Sequence, residues 1–136
     1  MDSIYDDMTN SEKQVASYLK ELGLQYVYQA PVFLHDLVGR PRIWTPDFYI
    51  PRLGVYIEVC GSEDFGERGY KFRQKVYEKN EIPVIFIHTY KDSRKWKSYL
   101  RTGIMNIHCK RASDLRKLLK IDRNYHRYAF DSGNDF

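Results

Sequence analysis

The stretch at residues 42–62, RIWTPDFYIPRLGVYIEVCGS, determines the fold that we expect for this chain. It holds two apolar runs joined by the turn-forming sequence Pro-Arg-Leu-Gly, a pattern typical of a hairpin between adjacent strands. If the strands pair inward from Ile50 and Val55, Asp47 lies directly across from Glu58. The sequence therefore predicts two neighbouring carboxylates on one face of a hairpin.

These two carboxylates need a positive partner. Glu58 lies among strongly apolar residues, where an ionised carboxylate is costly to bury unless a metal ion or a basic side chain accompanies it. A hard divalent ion such as Mg²⁺ takes two or three carboxylate oxygens together with water. Glu12 projects from the first turn of a predicted helix toward the same side as Val15, so it is a third candidate. We therefore expect Asp47, Glu58 and Glu12 to form a metal site.

The periodicity on both sides of the hairpin predicts the remaining elements. A Ser-x-x-Gln capping pattern opens a helix at residues 11–22. Strands are expected at residues 26–28, 32–37, 43–50, 55–60, 84–88 and 104–109, and further helices at residues 69–80, 93–100 and 113–120. This order predicts an α/β sandwich with a mixed central β-sheet flanked by helices. We expect one domain at residues 1–121, followed by a C-terminal tail at residues 122–136.

Composition restricts the class of protein. The chain has 136 residues, of which 43% are hydrophobic and 29% charged, as expected for one globular domain with its own core. Two cysteines are too few for a disulfide framework and favour a reducing, cytoplasmic location. No segment approaches the roughly 20 apolar residues that span a bilayer. We therefore expect a soluble protein without a membrane partner.

Charge is distributed unevenly along the chain. Residues 1–90 contain 10 Lys/Arg against 13 Asp/Glu, whereas residues 91–136 contain 12 against 5. This asymmetry fits a basic surface that meets nucleic-acid phosphates beside an acidic pocket, although a solvated helix face gives the same count. The candidate phosphate contacts are Arg40, Arg42, Lys71 and Lys95. The aromatic side chains of Trp44 and Tyr49 could stack on bases, but residues of this kind on strands more often belong to a core.

Together these residues resemble the PD-(D/E)XK nuclease superfamily, over residues 9–109. The resemblance rests on Glu12 in the opening helix, on Pro46-Asp47, and on Glu58-Val59-Cys60-Gly61 where the family has Glu-Val-Lys-Gly. It implies a restriction-endonuclease-like fold and a nuclease that hydrolyses DNA phosphodiester bonds, with RNA as an alternative substrate. It also implies Mg²⁺ or Mn²⁺ bound by the acidic residues. A homodimer would present two sites to the two strands of a duplex.

The resemblance fails at Cys60, because a cysteine cannot supply the fixed positive charge of the family's lysine. Some members carry that lysine on the following helix, where this chain offers Lys71 and Lys75. At about 100° per residue, a buried stripe drawn through Phe72 and Val76 passes closer to Lys75 than to Lys71. We therefore expect Lys75 to complete the catalytic set of Asp47, Glu58 and Glu12.

Two other functions account for part of the pattern. A nuclease-fold module that has lost the lysine would bind nucleic acid without cleaving it. Alternatively, Cys60 would be a nucleophile paired with His88 or His108, since a thiolate needs an adjacent base. The thiol hypothesis leaves Asp47 and Glu58 without a role.

Each acidic or basic candidate also has a purely structural interpretation. Glu12 could stabilise the start of a helix through the macrodipole, and Asp47 after proline could form a turn. Glu58 could belong to a structural ion pair, and Lys75 could be an ordinary surface lysine. These interpretations predict different surroundings for the four side chains.

Overall fold

The structure, a computed structural model, describes residues 4–61, 66–90 and 94–120. The chain forms two compact units, one that extends to Ile104 and one that starts at Met105. All candidate catalytic and metal-binding residues lie in the first unit. The tail predicted at residues 122–136 lies outside the described residues.

Among the described residues, the first unit contains the six strands, the first two α-helices and the start of the third. After a short 3-10 helix at Ile4–Asp7, helix α1 covers Asn10–Glu21, and helices α2 (Gly66–Lys79) and α3 (Lys95–Leu118) follow later in the chain. The strands are β1 (Val27–Tyr28), β2 (Val32–His35), β3 (Pro41–Trp44), β4 (Phe48–Ile50), β5 (Val55–Cys60) and β6 (Val84–His88). The predicted mixed α/β class is confirmed.

The main sheet has the strand order β1-β4-β5-β6. Strands β1, β4 and β5 run antiparallel to one another, whereas β6 is parallel to β5. The predicted pairing of Ile50 with Val55 is confirmed, and the next pairs in the register are Tyr49 with Tyr56 and Phe48 with Ile57. The paired residues end at Phe48 and Ile57, so Asp47 and Glu58 are the residues immediately beyond the last pair.

The single strand predicted at residues 43–50 is wrong. It is two strands in different sheets, since β3 pairs with β2 in a separate two-stranded sheet while β4 joins the main sheet. The break falls at Thr45 and Pro46. Proline has no backbone N–H to donate to a ladder, so a continuous strand through Pro46 would lose a hydrogen bond. Asp47 thereby stands at the entrance to β4.

Helix α1 begins with a capping box, but two residues earlier than the Ser-x-x-Gln pattern at Ser11 predicted. Thr9 is the N-cap: its hydroxyl accepts a hydrogen bond from the Glu12 N–H at 3.1 Å, and Glu12 Oε1 accepts one from the Thr9 N–H at 3.0 Å. Ser11 therefore lies inside the helix. Thr9 takes the cap because its backbone is extended and Glu12 follows three residues later.

The two faces of the main sheet are covered by different elements. On one face, Tyr18 of α1 meets Trp96 of α3 edge to face at 5.4 Å, and Gly103 of α3 leaves room for the side chain of Ile85 on β6. On the other face, Cys60 packs in a cluster with residues from β2, α2 and β6, namely Val32, Leu34, Val76, Tyr77 and Phe86. The second face carries Glu58.

Residues 104–109 are helical, so the predicted strand there is wrong, and the predicted helix at residues 113–120 is the end of the same α3. The apolar residues Ile104, Ile107, Leu115 and Leu118 are spaced three or four apart or by multiples of such steps, as in a helix. No proline interrupts them. Within the described ranges, no helix combines the length and the apolar character needed to cross a bilayer.

Candidate active site

Glu58 is the most deeply buried carboxylate of the described residues, with 2% of its surface exposed. It lies in the middle of the apolar strand β5 and forms an ion pair with the guanidinium of Arg73 on α2. Burial raises the pKa of Glu58 to about 7, an effect that Arg73 opposes and the negative charge of Asp47 reinforces. The strand thus holds a carboxylate that is destabilised by burial and stabilised by one basic side chain.

Asp47 is half-buried at the start of β4. Its Oδ2 accepts a hydrogen bond from the backbone N–H of Val59 at 2.7 Å, which ties it to the neighbouring strand. Burial raises the pKa of Asp47 to about 6, the Val59 hydrogen bond and Arg73 oppose this, and Glu12 adds to it. The Asp47 carboxylate therefore does not form a local turn, because its hydrogen-bond partner, the Val59 N–H, belongs to β5.

Glu12 has two roles at once. One is structural: Oε1 of Glu12 belongs to the capping box at the start of α1. The other is its proximity to the site, since the negative charge of Glu12 helps to raise the pKa of Asp47. Burial, followed by a hydrogen bond from the hydroxyl to Glu12, raises the pKa of Tyr28 to about 12. Glu12 therefore stands beside the pair formed by Asp47 and Glu58.

Arg73 is the cation that reaches Glu58, and the sequence reasoning missed it. The Arg73 side chain is 39% exposed and that of Glu58 is 3% exposed, so the ion pair links a solvent-accessible guanidinium to a buried carboxylate. Lys75, expected in this position, is exposed on α2. At about 100° per residue it lies roughly 160° around the helix from Arg73.

The error came from the stripe assigned to α2. Phe72, taken as buried, is 47% exposed, whereas Tyr77 is 1% exposed and Val76 is fully buried. Tyr70, Arg73, Val76 and Tyr77 fall within about 120° of one another around the helix axis. Arg73 precedes Val76 and Tyr77 by three and four residues. This helical spacing was the signal in the sequence that could have identified it.

Aromatic side chains hold Arg73 in place. Its guanidinium carbon lies 5.8 Å from the centre of the Trp44 ring, and Trp44 packs edge to face on Tyr77 at 5.3 Å. Trp44 is therefore part of the packing around the site and not a free base-stacking platform. The Tyr77 hydroxyl is buried beside Glu58 and Arg73, without a well-aligned hydrogen bond among the described residues.

These side chains open on a pocket of about 200 Å³, lined by Thr45, Asp47, Glu58, Val59, Gly69, Tyr70 and Arg73. In residues 4–61, 66–90 and 94–120, no set of three or more His, Cys, Asp or Glu side chains is arranged to hold a metal ion. The carboxylates of Asp47 and Glu58 instead form a pair, with Glu12 to one side. Two larger depressions, of about 800 and 440 Å³, lie along the outer side of α1 and contain no buried carboxylate.

Cys60 is fully buried, and burial raises the pKa of its thiol to about 12. Its register partner is His88 on the parallel strand β6. A nucleophilic cysteine needs access to substrate and a stabilised thiolate. Both properties of Cys60 argue against the thiol hypothesis, and the residue behaves as a small apolar part of the core.

The expected phosphate contacts all lie on the surface. Arg42 is paired with Asp36 at 3.2 Å within the hairpin of β2 and β3, and the Arg40 N–H donates to the same carboxylate at 2.9 Å. Lys71 is exposed on α2, and Lys95 is exposed as the first residue of α3. The ion pair with Asp36 reduces the charge that Arg42 can offer to a phosphate.

No protein-family model, curated protein or solved structure matches this chain. The functional assignment therefore depends on the arrangement of Asp47, Glu58, Arg73 and Glu12.

Proposed function

We propose that this protein is a divalent-metal-dependent nuclease of the PD-(D/E)XK type that hydrolyses DNA phosphodiester bonds. The observation that supports this most is the meeting of Asp47, Glu58 and Arg73 around one pocket. Two carboxylates on adjacent antiparallel strands, followed by a helix and a parallel strand, agree with a restriction-endonuclease-like fold. RNA is the alternative substrate.

The donor set suits a hard divalent ion such as Mg²⁺ or Mn²⁺. Asp47 and Glu58 supply carboxylate oxygens, the ligand type that these ions prefer, and Glu12 adds negative charge beside them. Glu58 Oε2 contacts Arg73 but has no well-aligned hydrogen bond among the described residues. When bound, such an ion lowers the pKa of a water molecule and offsets negative charge on the phosphate.

Arg73 supplies the positive charge that Cys60 cannot. The guanidinium group carries a fixed positive charge, and its planar fork matches two phosphate oxygens. Its 39% exposure at the mouth of the pocket puts it within reach of a bound strand. We assign Arg73 the stabilisation of charge that develops on the phosphate, in place of Lys75.

A second candidate is a module of the same fold that binds nucleic acid without cleaving it. The ion pair between Arg73 and Glu58 favours it, because a carboxylate neutralised by a permanent side-chain partner does not require a metal. Both described cysteines are free thiols, which agrees with a cytoplasmic location for either candidate. A homodimer would present two sites and remains part of the nuclease proposal.

The test is a cleavage assay on duplex, junction and single-stranded DNA with Mg²⁺ or Mn²⁺. We expect cleavage that chelator abolishes and that Glu58→Gln lowers by at least about a hundredfold, because one ligand of the ion is lost. Lys75→Gln is the matched control and should cleave like the natural protein. Binding of every substrate without any cleavage would contradict the nuclease and support the module.

A further inference from the structure

The contact between Arg73 and Glu58 has a consequence for ion binding. Arg73 reaches Oε2 of Glu58, the oxygen of that buried side chain that has no well-aligned hydrogen bond among the described residues. A divalent ion bound by Glu58 would need the same oxygen lone pairs. Two cations close to one carboxylate repel each other, especially where little water screens them. Arg73 and the ion therefore compete for Glu58.

The surroundings of Arg73 keep it in this position when no ion is present. The Trp44 ring lies 5.8 Å from the guanidinium, and the fully buried Tyr77 packs edge to face on Trp44. A surface arginine without such neighbours would sample many rotamers. Here the aromatic packing and the ion pair favour one arrangement, so the ion has to displace a well-placed side chain.

The same arginine has a second partner available. Its side chain is 39% exposed, and it lines the pocket together with Asp47, on the side where a phosphate would enter. When it leaves Glu58, a phosphate diester is the chemical group that best replaces the carboxylate, because it presents two anionic oxygens to the fork.

We propose that Arg73 exchanges partners, from Glu58 in the ion-free protein to a substrate phosphate when a divalent ion occupies the carboxylates. This inference rests on the proposed function and adds its regulation. The exchange makes the ion and the nucleic acid bind cooperatively. A bound phosphate draws Arg73 away from Glu58, and a bound ion occupies Glu58 and frees Arg73 for the phosphate. By linkage, the factor by which the ion strengthens nucleic-acid binding equals the factor by which nucleic acid strengthens ion binding.

The first experiment measures Ca²⁺ binding by calorimetry without DNA, since Ca²⁺ takes the same kind of oxygen ligands as Mg²⁺. Titrations at about pH 8.5 keep Asp47 and Glu58 ionised. We expect Arg73→Gln to bind Ca²⁺ about tenfold more tightly than the natural protein, since the competing charge is gone. Lys75→Gln removes the same charge from the exposed side of α2 and should leave the affinity unchanged.

Two results separate this inference from the proposed function. If the natural protein binds Ca²⁺ and Arg73→Gln binds it equally or more weakly, the exchange is wrong while the metal site stands. If neither protein binds Ca²⁺ or Mn²⁺, the metal site itself is wrong, and the exchange falls with it.

A second measurement keeps Arg73 in place, in case Arg73→Gln does not fold. The chain has two tryptophans, so Trp96→Phe leaves Trp44 as the single tryptophan, whose emission is read apart from that of the tyrosines. We expect saturating Ca²⁺ to change Trp44 emission, because the cation beside its ring moves. Emission that stays constant while calorimetry records binding would overturn the exchange.

A third measurement tests cooperativity directly by titrating fluorescently labelled duplex DNA with and without Ca²⁺. We expect Ca²⁺ to strengthen DNA binding by the natural protein and by Lys75→Gln more than by Arg73→Gln. An equal gain in all three proteins would mean that direct attraction between ion and phosphate accounts for the whole effect and would refute the exchange.

Discussion

At the scale of single residues, Glu58 combines two opposing electrostatic effects. Burial in the strand favours the protonated carboxyl and raises its pKa to about 7, while the Arg73 guanidinium favours the ionised form. Asp47 is affected in the same direction, with its pKa raised to about 6. Because both values exceed those of an unfolded chain, the folded protein retains protons that the unfolded protein has already lost.

This difference predicts how stability depends on pH in the ion-free protein. A raised carboxyl pKa contributes stability below the unfolded value of about 4, and this contribution is lost as pH rises through about 6 for Asp47 and about 7 for Glu58. Glu58→Gln removes the titrating group and should make the free energy of unfolding depend less on pH. Between about pH 5 and pH 8, the loss of stability should be smaller in this variant by on the order of 2 kcal/mol. Urea unfolding in chelator at both pH values measures it. Parallel curves for the two proteins would show that Glu58 ionises as in water.

Glu12 permits a separation of its structural and electrostatic roles. Glu12→Gln keeps an oxygen for the Thr9 N–H and removes the charge, so stability should change little while Ca²⁺ affinity falls. Thr9→Ala removes the hydroxyl that accepts from the Glu12 N–H and should cost about 1 kcal/mol of stability with Ca²⁺ affinity retained. Thermal unfolding and calorimetry on both variants check this. If Glu12→Gln binds Ca²⁺ normally, Glu12 is a capping residue only.

At the scale of secondary structure, local pattern predicted β5 and its pairing with β4. Alternation along Val55–Cys60 and the turn before it determine the register, since a slip by one residue would turn Glu58 to the other face. The elements missed were those decided by context. An apolar run crosses Pro46 without a break in periodicity, and residues 104–109 alternate well enough to resemble a strand. The partner strand of β4 shows where the second strand begins, whereas the longer apolar spacing over residues 104–118 shows that residues 104–109 are helical.

The candidate site was predictable to the same extent. Its two central carboxylates follow from strand alternation, whereas its cation depends on how α2 is rotated on the sheet. Phe72 is more apolar than Tyr70, so hydrophobicity alone places the wrong side of α2 inward. The burial of Tyr77 against Trp44 and Phe86 sets the actual rotation and turns Arg73 toward Glu58. The helical spacing that Arg73 shares with Val76 and Tyr77 was the signal for the correct face of α2.

Packing between elements gives a further prediction at Gly61, which follows β5. A methyl group there would lie 2.7 Å from Oγ and 3.2 Å from Cβ of Ser11 in α1. We expect Gly61→Ala to destabilise the protein by about 1 kcal/mol, because α1 must shift or Ser11 must change rotamer. Ser11→Ala in the same chain should recover most of the loss, since the closest atom is then absent. Equal unfolding free energies for Gly61→Ala with and without Ser11→Ala would place the strain elsewhere.

At the scale of the whole molecule, the site and most of the net positive charge belong to different units. The first unit, up to Ile104, contains Asp47, Glu58, Arg73 and Glu12. Residues 105–136 contain seven Lys/Arg against four Asp/Glu, so they supply three of the four net positive charges of the chain. Ion binding should therefore depend on the first unit alone, and attraction to nucleic acid on both.

Truncation after His108 tests this division. The shortened chain keeps Trp96, Leu100 and Gly103, the residues of α3 that are buried or that pack on β6. We therefore expect cooperative unfolding and unchanged Ca²⁺ affinity. Duplex DNA binding should weaken by about tenfold at moderate salt, with a shallower dependence on salt concentration, because fewer cations contact phosphate. Calorimetry and fluorescence anisotropy over a salt series measure the two quantities. A truncated chain that loses Ca²⁺ binding while still folded would show that the site needs residues beyond the first unit.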